Sequence, residues 1–319
     1  MTGILQGFYQ NFRSFQAPTP VPSVATQGWF AGGKSEFPVT LLSSVDRITY
    51  ATDTATASVR GPLSAAKFYM AGTGNETNGW FGGGQSPAAT VSTVDRITYA
   101  TDTATASVRG PLSSAKYAMG ATGNATDGWF GGGGPSLTTV DRITYATDTA
   151  TASVRGPLTV NNRYKSATGN ATDGWFAGGF GGDGVSTIVD RITYATDTAT
   201  ASARGPLSLA RYNLAGTGNE TNGWFGGGGP GELSTVDRIT YATDTVTASV
   251  RGPLSMSRQA PSATGDTTNG WFGGGYGPAP AVVSTVDRIT YATDTATASV
   301  RGPLSVARRL EAAASNGQF

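Results

Sequence analysis

Cysteine and histidine are both absent from the 319 residues. Without cysteine there is no disulfide framework and no thiolate metal site. Without histidine the commonest general base and the commonest zinc ligand are missing. A Ser-His-Asp triad is therefore impossible, and zinc hydrolysis is not expected. Long apolar runs are missing as well, none approaching the roughly 20 residues of a membrane helix, so no membrane insertion is expected. The amino terminus has neither the basic opening nor the continuous apolar stretch of a secretory signal. Any extracellular role would therefore need another exit, such as release inside a particle at lysis.

Net charge is nearly absent too, with 22 basic against 21 acidic residues. A recurring segment carries two aspartates and two arginines per copy, as at Asp95, Arg96, Asp102 and Arg109. Setting six such copies aside leaves ten basic and nine acidic residues, with no basic stripe or charge run among them. Nucleic acid is a poor candidate partner on that count. The repeated charges are expected to pair within a copy, along or across neighbouring strands, as scaffold.

What the chain has in abundance is repetition. The segment "STVDRITYATDTATASVRGPLS" at 284–305 nearly duplicates 92–113, and variants begin near 43, 138, 187 and 234. All six tryptophans belong to a Gly-Trp-Phe landmark, at Trp29, Trp80, Trp129, Trp175, Trp224 and Trp271, spaced by 51, 49, 46, 49 and 47 residues. A second landmark, Val-Asp-Arg-Ile-Thr-Tyr, ends at Tyr50, Tyr99, Tyr145, Tyr194, Tyr241 and Tyr291. "TVDRITYAT" is β-branched and aromatic, with Ile97 and Tyr99 on one face and Val94 and Arg96 on the other. "ATDT" supplies hairpin turn residues, "ATASVRG" returns as a strand, and Gly-Pro ends it. A further strand such as 114–124 ends in Gly-Asn turn chemistry before the next Gly-Trp-Phe strand. Four strands per 46–51 residues, each unit unable to bury both faces alone, predict an all-β, six-bladed β-propeller of four-stranded antiparallel blades, with units beginning near 28, 79, 128, 174, 223 and 270.

The string "GWFGGG…STVDRITYATDTATASVRGPLSSAKY" resembles a kelch repeat: an aromatic strand ending in glycines, a variable loop, a strand ending in tyrosine, a polar hairpin and a proline. The family usually places a tryptophan seven residues after that tyrosine. Here the position holds Ala57, Ala106, Ala152, Ala201, Ala248 or Ala298, so the repeat is kelch-like, with the large ring moved to the Gly-Trp-Phe strand. The tandem of Gly-Trp-Phe-Gly-Gly and Val-Asp-Arg-Ile-Thr-Tyr-Ala-Thr also resembles repeat proteins of tailed phages, particularly those of marine bacteria. That resemblance implies a virion component assembled in a bacterial cytoplasm: a tail fibre, a tail-associated appendage or a surface decoration.

The ends suggest how the ring closes. Residues 306–317 would supply a fourth strand for the sheet of Trp29, removing the open edges that favour aggregation. The competing reading makes "VARRLEAAA" a C-terminal helix and leaves 23–27 to complete that blade. Ahead of the propeller (24–319), residues 1–16 place Ile4, Phe8, Phe12 and Phe15 on one face of a short helix, and 17–23 form a proline-rich linker. This segment is expected either to anchor the chain in other virion or tail proteins or to fold back onto the propeller.

Differences between copies mark what the scaffold does not dictate, so binding is sought there. One variable region follows each glycine run and the other follows each Gly-Pro-Leu. Phe37, Gln85, Phe180, Asp183, Glu232 and Tyr276 are the candidate binding residues, aromatic and acidic groups together suiting a host-surface glycan or a protein. No catalytic residue, metal site or cofactor is expected. The four-glycine run at 131–134 lacks the Lys-Ser/Thr of a phosphate loop, and "GGDG" at 181–184 has too few oxygen ligands for calcium. Asn75, Asn124, Asn170 and Asn219 match a glycosylation triplet but sit at one recurring turn, which turn chemistry explains. The function expected is non-enzymatic recognition by a virion appendage. The alternatives are a structural virion protein without receptor binding and a cytosolic kelch-type scaffold. Oligomerisation is open under each.

Overall fold

The computed structural model describes residues 25–36, 38–278 and 281–317. Over these, the chain forms six four-stranded antiparallel sheets whose inner strands contact one another in a ring, a six-bladed propeller. The segment 1–16 with Ile4, Phe8, Phe12 and Phe15, the linker 17–23, and Phe37 lie outside the described residues.

Blade 2 shows the plan. Its strands run from the centre outward as Ala71–Gly74, Asn78–Gly82, Val94–Thr98 and Ser107–Arg109, with Trp80 opposite Arg96 and Phe81 opposite Asp95. Two segments are shorter than the sequence pattern suggests. Tyr99–Thr101 winds into a 3-10 turn, so the third strand stops at Thr98, and only Ser107–Arg109 returns. Of the expected strand at 114–124, Gly120–Gly123 is regular in blade 3. Blade 1 is composite. Ala312–Ser315 is its inner strand and pairs with Gln27–Ala31, Gly28 opposite Ser315. The Asn316 carboxamide oxygen then accepts the backbone N–H groups of Thr26 and Gln27, 2.9 and 3.0 Å away. The C-terminal strand thus closes the ring, and residues 306–311 are an irregular connection rather than a helix.

Adjacent residues on a strand point to opposite faces, which explains the Gly-Trp-Phe landmark. In a propeller both faces of a blade are buried, so both rings face apolar neighbours. Trp29, Val45 and Leu63 of blade 1 pack against Phe81, Ile97, Tyr99 and Ala106 of blade 2; six such clusters fill the six interfaces. Each indole stacks on the tyrosine of the following blade with centroids 3.8–3.9 Å apart. Ala106 belongs to the cluster around Trp29, so the indole that fills this space arrives from the preceding blade. Removing one such ring costs about 3–5 kcal/mol.

The repeated charges are all committed, but the repeated arginines pair with an aspartate of the next blade rather than within their own copy as the sequence suggests. The reason is that the hairpin turn carrying each aspartate packs against the preceding blade. Asp102 Oδ2 accepts the Trp29 Nε1–H at 2.9 Å and an Arg47 Nη1–H at 3.0 Å, and Arg60 Nε lies 3.5 Å away. The same clamp recurs at Asp148, Asp197, Asp244 and Asp294, and at Asp53, where Trp271, Arg288 and Arg301 close the circle. The other aspartate is fully buried. Asp141 accepts from the N–H and Oγ–H of Ser113 and pairs with Lys116 Nζ at 3.0 Å. Lys67, Arg211, Arg258 and Arg308 occupy the same repeat position and serve Asp95, Asp237, Asp287 and Asp46. In blade 4 that position is Asn162, and Lys165, three residues on, reaches Asp190 instead at 3.9 Å. The charge requirement is kept while its source moves.

Candidate functional site at the channel mouth

Gly83 and Gly84, at φ +65° and +101°, turn the chain out of the second strand of blade 2 into its variable loop; only glycine adopts that pair of angles at low cost. The loops after the glycine runs, and the connections after each Gly-Pro-Leu, emerge on the same face of the propeller and meet there. Single antiparallel bridges join them in every blade: Phe68 with Gln85, Tyr117 with Gly134, Arg163 with Phe180, Tyr212 with Gly229, Gln259 with Tyr276, and Lys34 with Arg309.

Inside these bridges lies a closed ring of main-chain hydrogen bonds. The N–H of Ala118 donates to Tyr69 O, Tyr164 to Ala118, Asn213 to Tyr164, Ala260 to Asn213, Leu310 to Ala260, and Tyr69 to Leu310, at 2.7–3.2 Å. All six residues have φ between +53° and +62°. That left-handed conformation costs a non-glycine residue about 1–2 kcal/mol, offset by a hydrogen bond of about 1 kcal/mol and by the closure of the ring. These positions rim the central channel. Below them the inner strands, rich in Gly, Ala, Ser and Thr, enclose narrow cavities of about 120 Å³.

Sixfold likeness ends at this rim. A cavity of about 350 Å³ opens there, lined by Tyr69, Tyr164, Tyr212, Phe180, Arg163 and Arg309 among others. Tyr69 and Tyr164 approach to 5.2 Å between centroids, and Tyr164 and Phe180 each lie about 6.1 Å from Tyr212. Burial, and next the Tyr164 phenol, push the Tyr69 hydroxyl pKa upward. Arg163 sits 5.2 Å over Tyr164 and 5.7 Å over Phe180, and Arg309 sits 4.8 Å over Tyr276. Ring faces hold a guanidinium without consuming its donors. Arg309 also pairs with Glu36 at 2.9 Å, while Arg163 has no ion-pair partner among the described residues. Burial, and next the charge of Arg309, lower the Lys34 ammonium pKa, with Glu36 opposing.

Of the 22 basic residues, twelve form the blade clamps and six are the buried cations. Only Arg13, outside the described residues, and Lys34, Arg163 and Arg309 remain. Every cation of the described structure outside the clamps and the buried pairs therefore stands at the channel mouth, Arg309 in an ion pair with Glu36. Uncommitted carboxylates on the opposite face include Glu76 and Glu220, both exposed. There the Asn75, Asn124, Asn170 and Asn219 side chains each accept three bonds from their own turn, and Asn75, Asn170 and Asn219 also donate Nδ2–H to the next blade. These asparagines build turns.

The candidates named from sequence separate into three groups. Phe180 lines the cavity and is 37% exposed. Gln85 and Tyr276 occupy the bridge position, Tyr276 backing Arg309. Asp183, at the tip of the hairpin Phe180–Gly181/Gly184–Val185, and Glu232, in the blade 5 loop, do not line the cavity. Sequence reasoning missed Arg163, Arg309, Tyr69, Tyr164 and Tyr212. The signal was available: aligned after Gly-Pro-Leu, the repeat reads Phe, Tyr, Arg, Tyr, Gln, Arg at the bridge position and Tyr, Ala, Tyr, Asn, Ala, Leu at the rim. Among the described residues no group of acidic side chains is placed to hold a metal.

A search of protein families finds none that matches the chain, and a search of curated proteins finds no match.

Proposed function

We propose that this chain is a non-enzymatic recognition module that binds its ligand at the channel mouth. The observation that carries the reading is the concentration of departures from sixfold repetition at one concave, aromatic and basic site, while the rest of each blade is spent on packing and clamps. No carboxylate lines the cavity, which speaks against general acid–base work there. The kelch-like repeat and its likeness to repeat proteins of tailed phages support the finer reading, a virion appendage that touches the host surface. On that reading residues 1–16 join the module to other virion proteins.

Two measurements test this. Mass spectrometry of purified particles should find the chain in the virion; its absence there, with a soluble partner in the producing cell, would favour a cytosolic scaffold. The full chain should also bind host cells and lose binding when Tyr164, Phe180 and Tyr212 are replaced by alanine. Undiminished binding by that variant would remove the mouth as the site. A chain found in virions that binds no host cell would be a structural component.

A further inference from the structure

We propose that the ligand taken at the channel mouth is an anionic glycan, a saccharide carrying carboxylate or sulfate groups; this deepens the recognition reading and rests on it. The cavity runs from Arg163 and Tyr164 past Tyr212, Asn213, Gln259 and Ala260 to Leu310 and Arg309, so its lining carries a guanidinium from each of two separate blades. Arg163 has its donors free of any carboxylate among the described residues. A planar guanidinium held over Tyr164 and Phe180 presents paired N–H groups that match a carboxylate or sulfate edge. The aromatic walls supply the second requirement. Sugar C–H bonds are weakly positive and lie well on the negative face of a ring, and Phe180 and Tyr212 offer such faces beside Arg163.

Charge complementarity selects among partners. Outside the clamps and the buried pairs the described chain has no cation away from this mouth, and Lys34 adds a positive group beside Arg309, whose own charge is partly offset by Glu36. Glu36, Asp183 and Glu232 share this face but are not among the residues lining the cavity, so the attraction for an anion is local to the cavity rather than a property of the whole face. A cavity of about 350 Å³ suits one or two sugar rings of a longer chain, and is too small for a folded protein surface to enter.

The test is biolayer interferometry on the immobilised full chain, with oligogalacturonate, sulfated galactan, neutral galactan of matched length and poly-L-glutamate as probes. At near-physiological salt, one or both acidic saccharides should bind at least about tenfold tighter than neutral galactan, and Arg163→Gln and Arg309→Gln should each lower that binding by about tenfold or more, the range expected for a hydrogen bond to a charged group. Arg163→Gln should keep the parent's thermal midpoint, because Arg163 has no ion-pair partner among the described residues. Arg309→Gln, which loses only its part-exposed pair with Glu36, should shift it by no more than about 2 °C. Comparing oligogalacturonate with sulfated galactan distinguishes the two anion types. The inference is overturned if neutral galactan binds as tightly, if only polyglutamate binds, if no saccharide binds, or if both arginine variants bind as the parent does. Should binding survive the arginine changes but fall in Tyr164→Ala and Phe180→Ala, the mouth remains the recognition site and only the anionic assignment fails.

Discussion

Blade 4 permits a sharp test of how the buried aspartates are satisfied. Lys165 and Asp190 are both fully buried, 3.9 Å apart, and Asp190 is otherwise bonded only to the N–H and Oγ–H of Thr159. Lys165→Met keeps the aliphatic stem and removes the charge. Deleting one partner of a buried pair typically costs about 3–5 kcal/mol. The separation here exceeds the 3.0 Å of Lys116–Asp141, which reduces the attraction to about three-quarters. The expected loss is therefore at the lower end, about 3 kcal/mol, or about 5 °C in the unfolding midpoint of a domain this large. Asn162→Lys alone places two cations against one carboxylate and should also destabilise. The double variant Asn162→Lys/Lys165→Met recreates the arrangement of Lys67–Met70 and Lys116–Met119 and should recover to within about 1 kcal/mol of the parent, giving a large favourable coupling in the cycle. Calorimetry of the four proteins measures it. Additive losses would refute the reasoning, because the cation's position, and not merely its presence, would then be what Asp190 requires.

Two further outcomes follow from buried polar groups. Burial pushes the Glu311 carboxyl from 4.5 up to about 8, against the opposing pull of its backbone hydrogen bonds, Arg308 and Arg258. A raised folded-state pKa contributes stability that is complete below the unfolded value and lost as pH rises through the folded one. Glu311→Gln should therefore match the parent below pH 4.5 and become relatively more stable through pH 8 in denaturant melts across that range; a constant difference at all pH values counts against it. At the recurring turn, Asn219→Asp keeps the three accepted bonds, as Asp266 does in blade 6, and loses only the bridge to Thr267. It should cost about 1 kcal/mol against about 2 kcal/mol for Asn219→Ala, and the reverse order in thermal melts would show that the turn does not depend on that acceptor.

Much of the architecture is legible because both faces of every blade are buried. Adjacent Trp and Phe, the alternation of Val-Asp-Arg-Ile-Thr-Tyr and the Gly-Pro breaks each answer a local requirement, and six copies multiply the signal. Ring closure is legible because residues 306–317 continue the pattern of an inner strand even though Ala and Glu favour helix; tertiary pairing with Gln27–Ala31 outweighs that propensity. The destination of the repeated charges is less legible. Asp102 lies in a hairpin turn and pairs with residues 42–73 positions earlier, on another blade, and no spacing rule within one copy announces that. The same limit applies to the mouth. Phe180 stands out as an aromatic in a glycine loop, whereas Arg163 and Arg309 sit beside segments where lysine and arginine serve as buried cations. Only the three-dimensional register, one residue further on, separates the half-buried guanidinium of the mouth from the fully buried scaffold one.

The rim reconciles variation with stability. Its hydrogen bonds run between main-chain groups, so Tyr, Ala, Asn and Leu all hold φ between +53° and +62° without breaking the circle. Side chains there can change while the six clamps and stacks stay constant, which is the condition for a site to differ among otherwise interchangeable blades. Order matters as much as composition. Ala118, between Tyr69 and Tyr164, is small enough for the two rings to approach to 5.2 Å across it. Asn213, Ala260 and Leu310 then follow around the circle and leave the opposite half open, with Arg163 and Arg309 in the cavity lining. A pore with the same six rim residues in alternating sequence would scatter its aromatic rings and lose the one-sided cavity. The shape of the site is therefore written in the succession of the copies, and a single repeat, however closely read, does not contain it.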